Sequence, residues 1–269
     1  MRIVILTYES LYANTMTQRL IQARPGQVVG IVRSDCLIYG QSLTGGLRYL
    51  LRRTGLRFVG RKALEFFQAR AMAILFWLIG RPRKVPSLRE IKAHAGMPVV
   101  GSQDVNDAET LAAIQSWQPD LVISIYLNQL IKRDLIGLPR LGCLNIHPAL
   151  LPRNRGLFPY FWAIANGDRE TGVTLHWVDE RFDTGDILLQ EVICIQPGET
   201  ITSLSYKSAQ VGADMLVRGV DLIEAGNPPH VPQDNSQASY YSWPRPADQR
   251  RFRQRGGSYG TVFELMRYM

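Results

Sequence analysis

The sequence of 269 residues is short of several things that define large classes of protein. Cysteine is scarce: Cys36, Cys143 and Cys194 are an odd number without a C-x-x-C pair, which excludes a disulfide framework and a zinc ribbon and fits a reducing compartment. Met1 to Leu6 passes straight into an apolar run with no basic leader, long apolar core or small-residue cleavage site, so no secretory leader is expected and the cytoplasm is the expected location. The stretch Tyr8 to Thr15, which would join a first strand to a first helix, has no glycine. The Gly-rich phosphate cradle and the dinucleotide fingerprint are therefore both missing, and nucleotide-dependent redox chemistry is not expected. His94 and His230 have no acidic or cysteine partner at ligand spacing, and no metal is expected. No internal repeat is visible.

Acid is scarce in one region only. Between Ile31 and Ala95 thirteen basic residues stand against three acids, a local balance of +10 in a chain whose whole balance is +8, so the remainder carries −2. The basic character belongs to one segment, not to the whole surface. Few aromatics are interleaved with these arginines, unlike a nucleic-acid stacking platform, and nucleic acid is not an expected partner. With 46% hydrophobic and 20% charged residues the chain has the composition of an ordinary globular protein with a sizeable core.

Apolar periodicity places strands at Arg2–Thr7, Gln27–Val32, Pro98–Val100, Asp120–Ile125, Leu141–Ile146, Gly172–Val178 and Ile187–Ile195. Helices are predicted at Leu11–Ala23, Asp107–Trp117, Phe158–Ala165 and Thr202–Ala225. This alternation predicts an α/β fold with a mostly parallel sheet and crossover helices. His147 falls just beyond a strand's carboxyl end, where open α/β sheets carry their sites. Two parts stand apart: a basic and apolar helical insertion at about 40–86, and an irregular C-terminal arm over 226–269, with a strand or two near Ala238–Ser242, following a main unit of 1–225.

The informative stretch begins at Asn145-Ile146-His147-Pro148-Ala149-Leu150-Leu151-Pro152 and continues through Arg155-Gly156, Pro159 and Trp162-Ala163. It ends with Thr171-Gly172-Val173-Thr174-Leu175-His176 and Phe182-Asp183-Thr184-Gly185-Asp186-Ile187. Singly, Asn145 and Asp183 read as turn residues and His147 as a surface histidine beside proline. In this order, the set closely resembles the catalytic domain of the 10-formyltetrahydrofolate-dependent formyltransferase superfamily, which methionyl-tRNA, glycinamide ribonucleotide and aminosugar N-formyltransferases share with formyltetrahydrofolate hydrolases. The match is dense over about a sixth of the chain. Ala149 departs from it, standing where the family has a serine after the His-Pro step.

The resemblance implies a Rossmann-like open sheet with helices on both faces, and a transferase moving formyl from 10-formyltetrahydrofolate to an amine. It implies Asn145, His147 and Asp183 as catalytic residues. The chemistry suits them: an amine attacks the formyl carbon, negative charge builds on the formyl oxygen, and a proton leaves nitrogen. The Asn145 amide and a His147 N–H can donate to that oxygen, while Asp183 orients the imidazole and takes the proton directly or through water. His176, by contrast, reads as a structural residue or one that supports the site from behind. Further implied are folate contacts at Tyr126, Asn128, Leu130, Asp179 and Glu180. Ser10, Asn14 and Arg155 are candidates for the acceptor, with helix capping the blander role for Ser10 or Asn14 and loop locking for Arg155.

The family's tRNA-directed members carry a further domain, its purine-pathway members a Gly- and Asn-rich phosphate loop, and its hydrolases a leading regulatory domain. By elimination the expected acceptor is a small-molecule amine on a sugar, sugar nucleotide or related metabolite. Two alternatives stay open: a methionyl-tRNA formyltransferase-like enzyme without the full C-terminal domain, and a non-catalytic module using its basic insertion on nucleic acid or membrane. Within the insertion, Leu64, Phe67, Ala71, Leu75 and Leu78 recur at helical spacing after a run of arginines, and Trp77 adds to the apolar cluster. The ten uncharged residues Ala71 to Gly80 are too few to span a bilayer. Three uses fit them: a helix hairpin folded on the protein's own body, a homodimer contact, or peripheral binding to the anionic inner face of a membrane.

Overall fold

The computed structural model describes residues 1–80 and 83–268, with residue 77 described by its backbone. Arg81 and the Trp77 side chain, both counted in the insertion above, lie outside the described residues. The chain opens with β1 (Ile3–Thr7), α1 (Leu11–Ala23) and β2 (Val28–Ser34), and the insertion follows as α2 (Leu43–Thr54), α3 (Leu56–Leu78) and α4 (Leu88–Ala95). The α/β pattern then resumes with β3 (Val99–Ser102), α5 (Ala108–Ser116), β4 (Leu121–Ile125), α6 (Arg133–Ile136) and β5 (Cys143–His147). A short β6 (Arg155–Gly156) and α7 (Pro159–Asn166) lead to β7 (Glu170–Trp177), β8 (Ile187–Cys194) and the long α8 (Ile201–Glu224). The arm carries β9 (Tyr240–Tyr241), α9 (Pro246–Gln254) and α10 (Val262–Tyr268).

Seven strands form one sheet in the order β3-β2-β1-β4-β5-β7-β8. The first five are parallel, and β7 runs antiparallel to both β5 and β8. This is the mostly parallel Rossmann-like sheet that the alternation predicts. The all-apolar β1 shows why: Ile3 and Ile5 join one core while Val4 and Leu6 join the other, so both faces of the sheet are covered. Residues of α1, α7 and α8 pack on one face, with Ile114 of α5 and Leu135 of α6 on the other. Strand order reverses at β1, and the carboxyl ends of β4 and β5 open beside that reversal.

The arm is more regular than its composition suggests. Pro246 starts α9 at the position where a missing N–H costs nothing, and Phe252, fully buried, stacks on Phe161 of α7 at 4.7 Å between ring centroids. Upstream, β9 pairs with β6, the Trp162 indole donates to the Ser242 carbonyl at 3.1 Å, and Trp177 stacks on His230. One large apolar side chain, Phe252, with the buried Gln249 beside it, anchors α9, whose other face is solvated.

The insertion overturns the core-facing alternative. Leu56, Leu64, Phe67, Ile74 and Leu78 are between 55% and 76% exposed. It is the polar edge of α3 that meets the body: the Arg61 guanidinium lies 4.4 Å from the Tyr259 ring centroid, and the Lys62 ammonium 4.9 Å from that of Phe158. Among the described side chains of α3, Phe58, near the start of the helix, and Phe76, near its end, are the buried large ones.

Candidate functional site

β5 ends in Asn145-Ile146-His147, and the strand period turns Asn145 and His147 to one side of the sheet and Ile146 into the core. The loop after β7 brings Asp183 back over the strand end. Its backbone is left-handed, with φ of 55°, and so are Tyr126, Asn154 and Phe158 nearby, at φ of 55°, 58° and 62°. Such conformations persist in non-glycine residues only where the surroundings enforce them, and they gather around this strand end.

The site residues are held by hydrogen bonds and close polar contacts. His176, paired across the sheet with Asn145, donates from Nδ1 to the Trp177 carbonyl at 2.7 Å, which leaves Nε2 to accept from Asn145 Nδ2 at 3.0 Å. The other hydrogen of that amide points at Asp183 Oδ1, 3.4 Å away. His147 donates from Nε2 to the Asn154 carbonyl at 2.9 Å, so its Nδ1 faces Asp183 Oδ1 at 3.4 Å. The second carboxylate oxygen accepts the Gly156 N–H at 2.8 Å. Gly156 has φ of 90°, and a Cβ there would run into the Tyr241 carbonyl, so the close approach that supplies this N–H needs glycine.

Electrostatics follow from the burial. The side chains of His147 and Asp183 are 6% and 10% exposed. Burial pushes the Asp183 carboxyl up, but the charges that His147 and His176 carry when protonated, together with the Gly156 N–H, outweigh it and bring it down to about 2. Asp183 is therefore ionised across the physiological range. With Nε2 holding its hydrogen on Asn154, a neutral His147 turns a lone pair toward this carboxylate, and a proton arriving at Nδ1 completes an ion pair. One expectation is corrected here. His147 does not have its Nε2–H free to meet a substrate oxygen, because the Asn154 carbonyl holds it.

Asn145, His147 and Asp183 are thus brought together, with His176 behind them as the sequence suggested. The other candidates divide. Asn128 is tied into its own scaffold, donating to the Cys36 carbonyl at 2.8 Å and accepting from Ser34 Oγ at 2.6 Å. The Leu130 carbonyl takes the Asn106 amide, and Asp179 accepts from Thr184 Oγ1 and the Arg181 N–H. The Tyr126 hydroxyl bonds that of Tyr160 in the core. Glu180 is exposed, 3.9 Å from Arg133, which links its loop to the segment after β4. Ser10 caps α1 by accepting the Ala13 N–H at 3.1 Å, and Asn14 is buried and donates to the Pro86 carbonyl. Arg155 is corrected from a possible substrate contact to a loop lock: buried, it donates to Gln233 Oε1 at 2.7 Å and to Asn235 Oδ1 at 2.8 Å.

Gln233 belongs to the site although nothing in the sequence singles it out. Its amide donates to the carbonyls of Asp183 at 3.0 Å and Gly185 at 2.7 Å while its oxygen accepts from Arg155, so one arm side chain clamps both loops of the site. Nothing in Pro232-Gln233-Asp234 signals this, because the contact spans about fifty positions of sequence. Tyr240, exposed beside β6, is also new: burial first, then the charges of Asp183 and Tyr49, raise its phenol. A separate cleft of about 420 Å³ on α2 is lined by Gln41, Gly45, Arg48, Tyr49, Arg52 and Arg53. Among the described residues no group of three or more His, Cys, Asp or Glu could hold a metal ion.

Comparison with known proteins matches residues 81–220, just over half the chain, to the formyl transferase family profile. The methionyl-tRNA formyltransferase of Moorella thermoacetica is 39% identical over 163 residues, 60% of this chain and 52% of that protein. That of Synechococcus sp. strain JA-3-3Ab is 40% identical over 181 residues, 62% of this chain and 56% of that protein. The chain therefore spans about half the length of these curated relatives. Among solved structures, an N-formyltransferase from Helicobacter canadensis, in complex with folinic acid and dTDP-3-aminofucose, aligns with a TM-score of 0.57 at 16% identity, covering 92% of this chain and 72% of that one. Glycinamide ribonucleotide transformylase 1 from Symbiobacterium toebii aligns at 0.58 and 18% identity, covering 86% and 93%. These structural likenesses carry the fold.

Proposed function

The chain belongs to the formyl transferase family, and from that premise we propose that it moves a formyl group from 10-formyltetrahydrofolate to an amine at the Asn145–His147–Asp183 centre. The observation that carries the reading is the buried pair in which His147 Nδ1 meets the ionised Asp183 at 3.4 Å, beside the Asn145 amide. The formyl folate supplies an activated one-carbon group. The chain's residues do the rest. Asn145 turns the amide hydrogen of its long 3.4 Å contact from Asp183 to the oxygen where charge develops. His147 receives the amine's proton at Nδ1, Asp183 holds the imidazolium so formed, and as the bond from the formyl carbon to the folate nitrogen breaks that proton passes to the departing nitrogen, leaving tetrahydrofolate.

The segments after β4 and β7 flank this centre and would receive the folate. With Asn128 and Asp179 turned into their own loops, what these segments offer a ligand is mainly backbone, which suits the alternating donors and acceptors of a planar heterocycle. Residues 1–225 act as the catalytic unit, and the arm over 226–269 completes it through Gln233.

For the acceptor we propose an amine on a sugar, a sugar nucleotide or a related metabolite, in keeping with the dTDP-3-aminofucose held by the Helicobacter canadensis enzyme. The second reading is methionyl-tRNA, favoured by the identity to methionyl-tRNA formyltransferases. The test is mass gain of one formyl group when the purified chain and 10-formyltetrahydrofolate meet a panel of aminosugar nucleotides, lipid-linked aminosugars and aminoacylated initiator tRNA. Formylation of the tRNA alone overturns the sugar reading. No formylation of any amine overturns formyl transfer itself.

A further inference from the structure

α3 is an amphipathic helix mounted the wrong way round for a core. Along its outward side Leu56, Leu64, Phe67, Ile74, Leu75 and Leu78 follow one another at spacings of eight, three, seven, one and three residues, and all are exposed, Leu56 at 76% and Leu78 at 68%. The 23 residues of the helix make this apolar face about 34 Å long. Phe263, 77% exposed, lies on α10, which packs beside α3. Ten of the sixteen large apolar side chains exposed among the described residues fall between Leu43 and Ile79. A surface this apolar and this contiguous marks an occupant.

The charges say which occupant. Arg57 and Arg70 are exposed and flank the apolar face on its two sides, and Arg48 and Arg52 are exposed on α2, at the basic cleft. α3 contains a single acid, Glu65, and that carboxylate is turned inward and taken by Arg61 and Lys62. The outward face thus offers apolar side chains edged by positive charge alone. A second copy of the chain would bring the same arginines against one another with no acid to meet them, since a two-fold contact uses the same patch twice. An anionic bilayer satisfies both parts, taking the Leu and Phe side chains at the acyl boundary and the guanidinium groups among lipid phosphates. Among the described residues no helix is long and apolar enough to cross a membrane, so this one lies in the interface.

We propose that the α2–α3 insertion is a peripheral docking platform for an anionic lipid bilayer, with α3 lying in the interface and the arginine cleft of α2 engaging lipid phosphates. The platform is tied to the arm by Arg53 of α2, which donates to the Trp243 carbonyl at 3.0 Å, and the arm reaches the site through Gln233, which places amines at a membrane surface within the enzyme's working range. That last step rests on the formyl-transfer reading, whereas docking does not.

The test is flotation of the intact chain with phosphatidylcholine vesicles, with and without phosphatidylglycerol, which reads binding without reference to turnover. The intact protein should float with the phosphatidylglycerol vesicles at low salt and be released as salt shortens the range of charge attraction. Phe67→Glu/Ile74→Glu/Leu78→Glu should weaken binding by about tenfold or more, and so should Arg48→Gln/Arg52→Gln/Arg57→Gln/Arg70→Gln. The replaced side chains are exposed, so the melting curves should stay close to that of the intact chain. The proposal is overturned if the intact protein stays unbound at low salt, or if the triple variant floats as well as the intact chain. It is also overturned if sedimentation equilibrium finds a dimer that the triple variant dissociates, because the face would then belong to a second copy.

Discussion

Asp183 is where most of the polar contacts of the site cross, meeting His147, His176, Asn145 and the Gly156 N–H. Its carboxylate is made stable by partners, against the tendency of burial, and this has two measurable consequences. Asp183→Asn keeps the shape and removes the charge that holds an imidazolium, and His147→Ala removes the base, so each should lower turnover by about two orders of magnitude or more with the circular dichroism spectrum unchanged. Near-normal turnover in either purified variant would remove that residue from the mechanism. The second consequence concerns acid. The folded-state pKa, about 2, lies below the unfolded value near 4, so the contribution of Asp183 to stability is full above about pH 4 and is lost as pH falls toward 2. The difference in urea-unfolding free energy between the intact chain and Asp183→Asn should therefore shrink over that window. A difference that stays constant from pH 5 to pH 2, rough bounds for the transition, would contradict the pairing described here.

At the scale of elements, β5 and the loop after β7 supply the reacting groups, and the arm holds them in register. Two side chains, Gln233 and Phe252, test that attachment. Gln233 satisfies two site carbonyls and the buried Arg155, so Gln233→Ala should leave a guanidinium short of a partner and cost about 2–4 kcal/mol. Its distinguishing readout is kcat, which should fall while the far-ultraviolet spectrum holds, because the Asp-Thr-Gly turn loosens. Phe252→Ala empties a fully buried site between α9 and α7, and a loss of about 3–5 kcal/mol is expected in urea denaturation. A loss under 1 kcal/mol, roughly the scale of a surface change, would mean that α9 is not anchored through this ring.

At the scale of the whole molecule, a conventional α/β body carries a basic helical insertion whose apolar face is outside. The two readings of α3 differ in what a conservative polar change does. If the helix faced the core, Ile74→Ser and Leu78→Ser would each lose several kcal/mol, whereas at exposures of 55% and 68% each should change stability by no more than about 0.5 kcal/mol. Thermal unfolding of the two variants checks this independently of any lipid. The cluster of charge behaves likewise: nine of the thirteen basic residues between Ile31 and Ala95 lie on α2, α3 and α4, so they bear on what the protein approaches and little on how it folds.

How much of this was legible in advance varies with the range of the interactions concerned. Strands such as Ile3-Val4-Ile5-Leu6 are readable because burial on both faces leaves an uninterrupted apolar run, and the order of strand and helix then restricts the sheet to few topologies. Asn145, His147 and Asp183 stood out through their joint pattern, although single residues of those types are common in turns. The sequence also located the apolar stripe of α3. It could not decide which way that stripe points, because periodicity defines a face and only the position of Phe58, Arg61 and Lys62 against Phe158 and Tyr259 decides what the face meets. The same holds for the tautomers of His147 and His176, which depend on the carbonyls of Asn154 and Trp177, and for Gln233, whose partners lie 48 to 78 residues away. Local pattern determined the elements and the kinds of chemistry available. Long-range contact alone decided which nitrogen faces the carboxylate and which side of the insertion faces out, since hydrogen-bond geometry and burial exist only once distant segments have met.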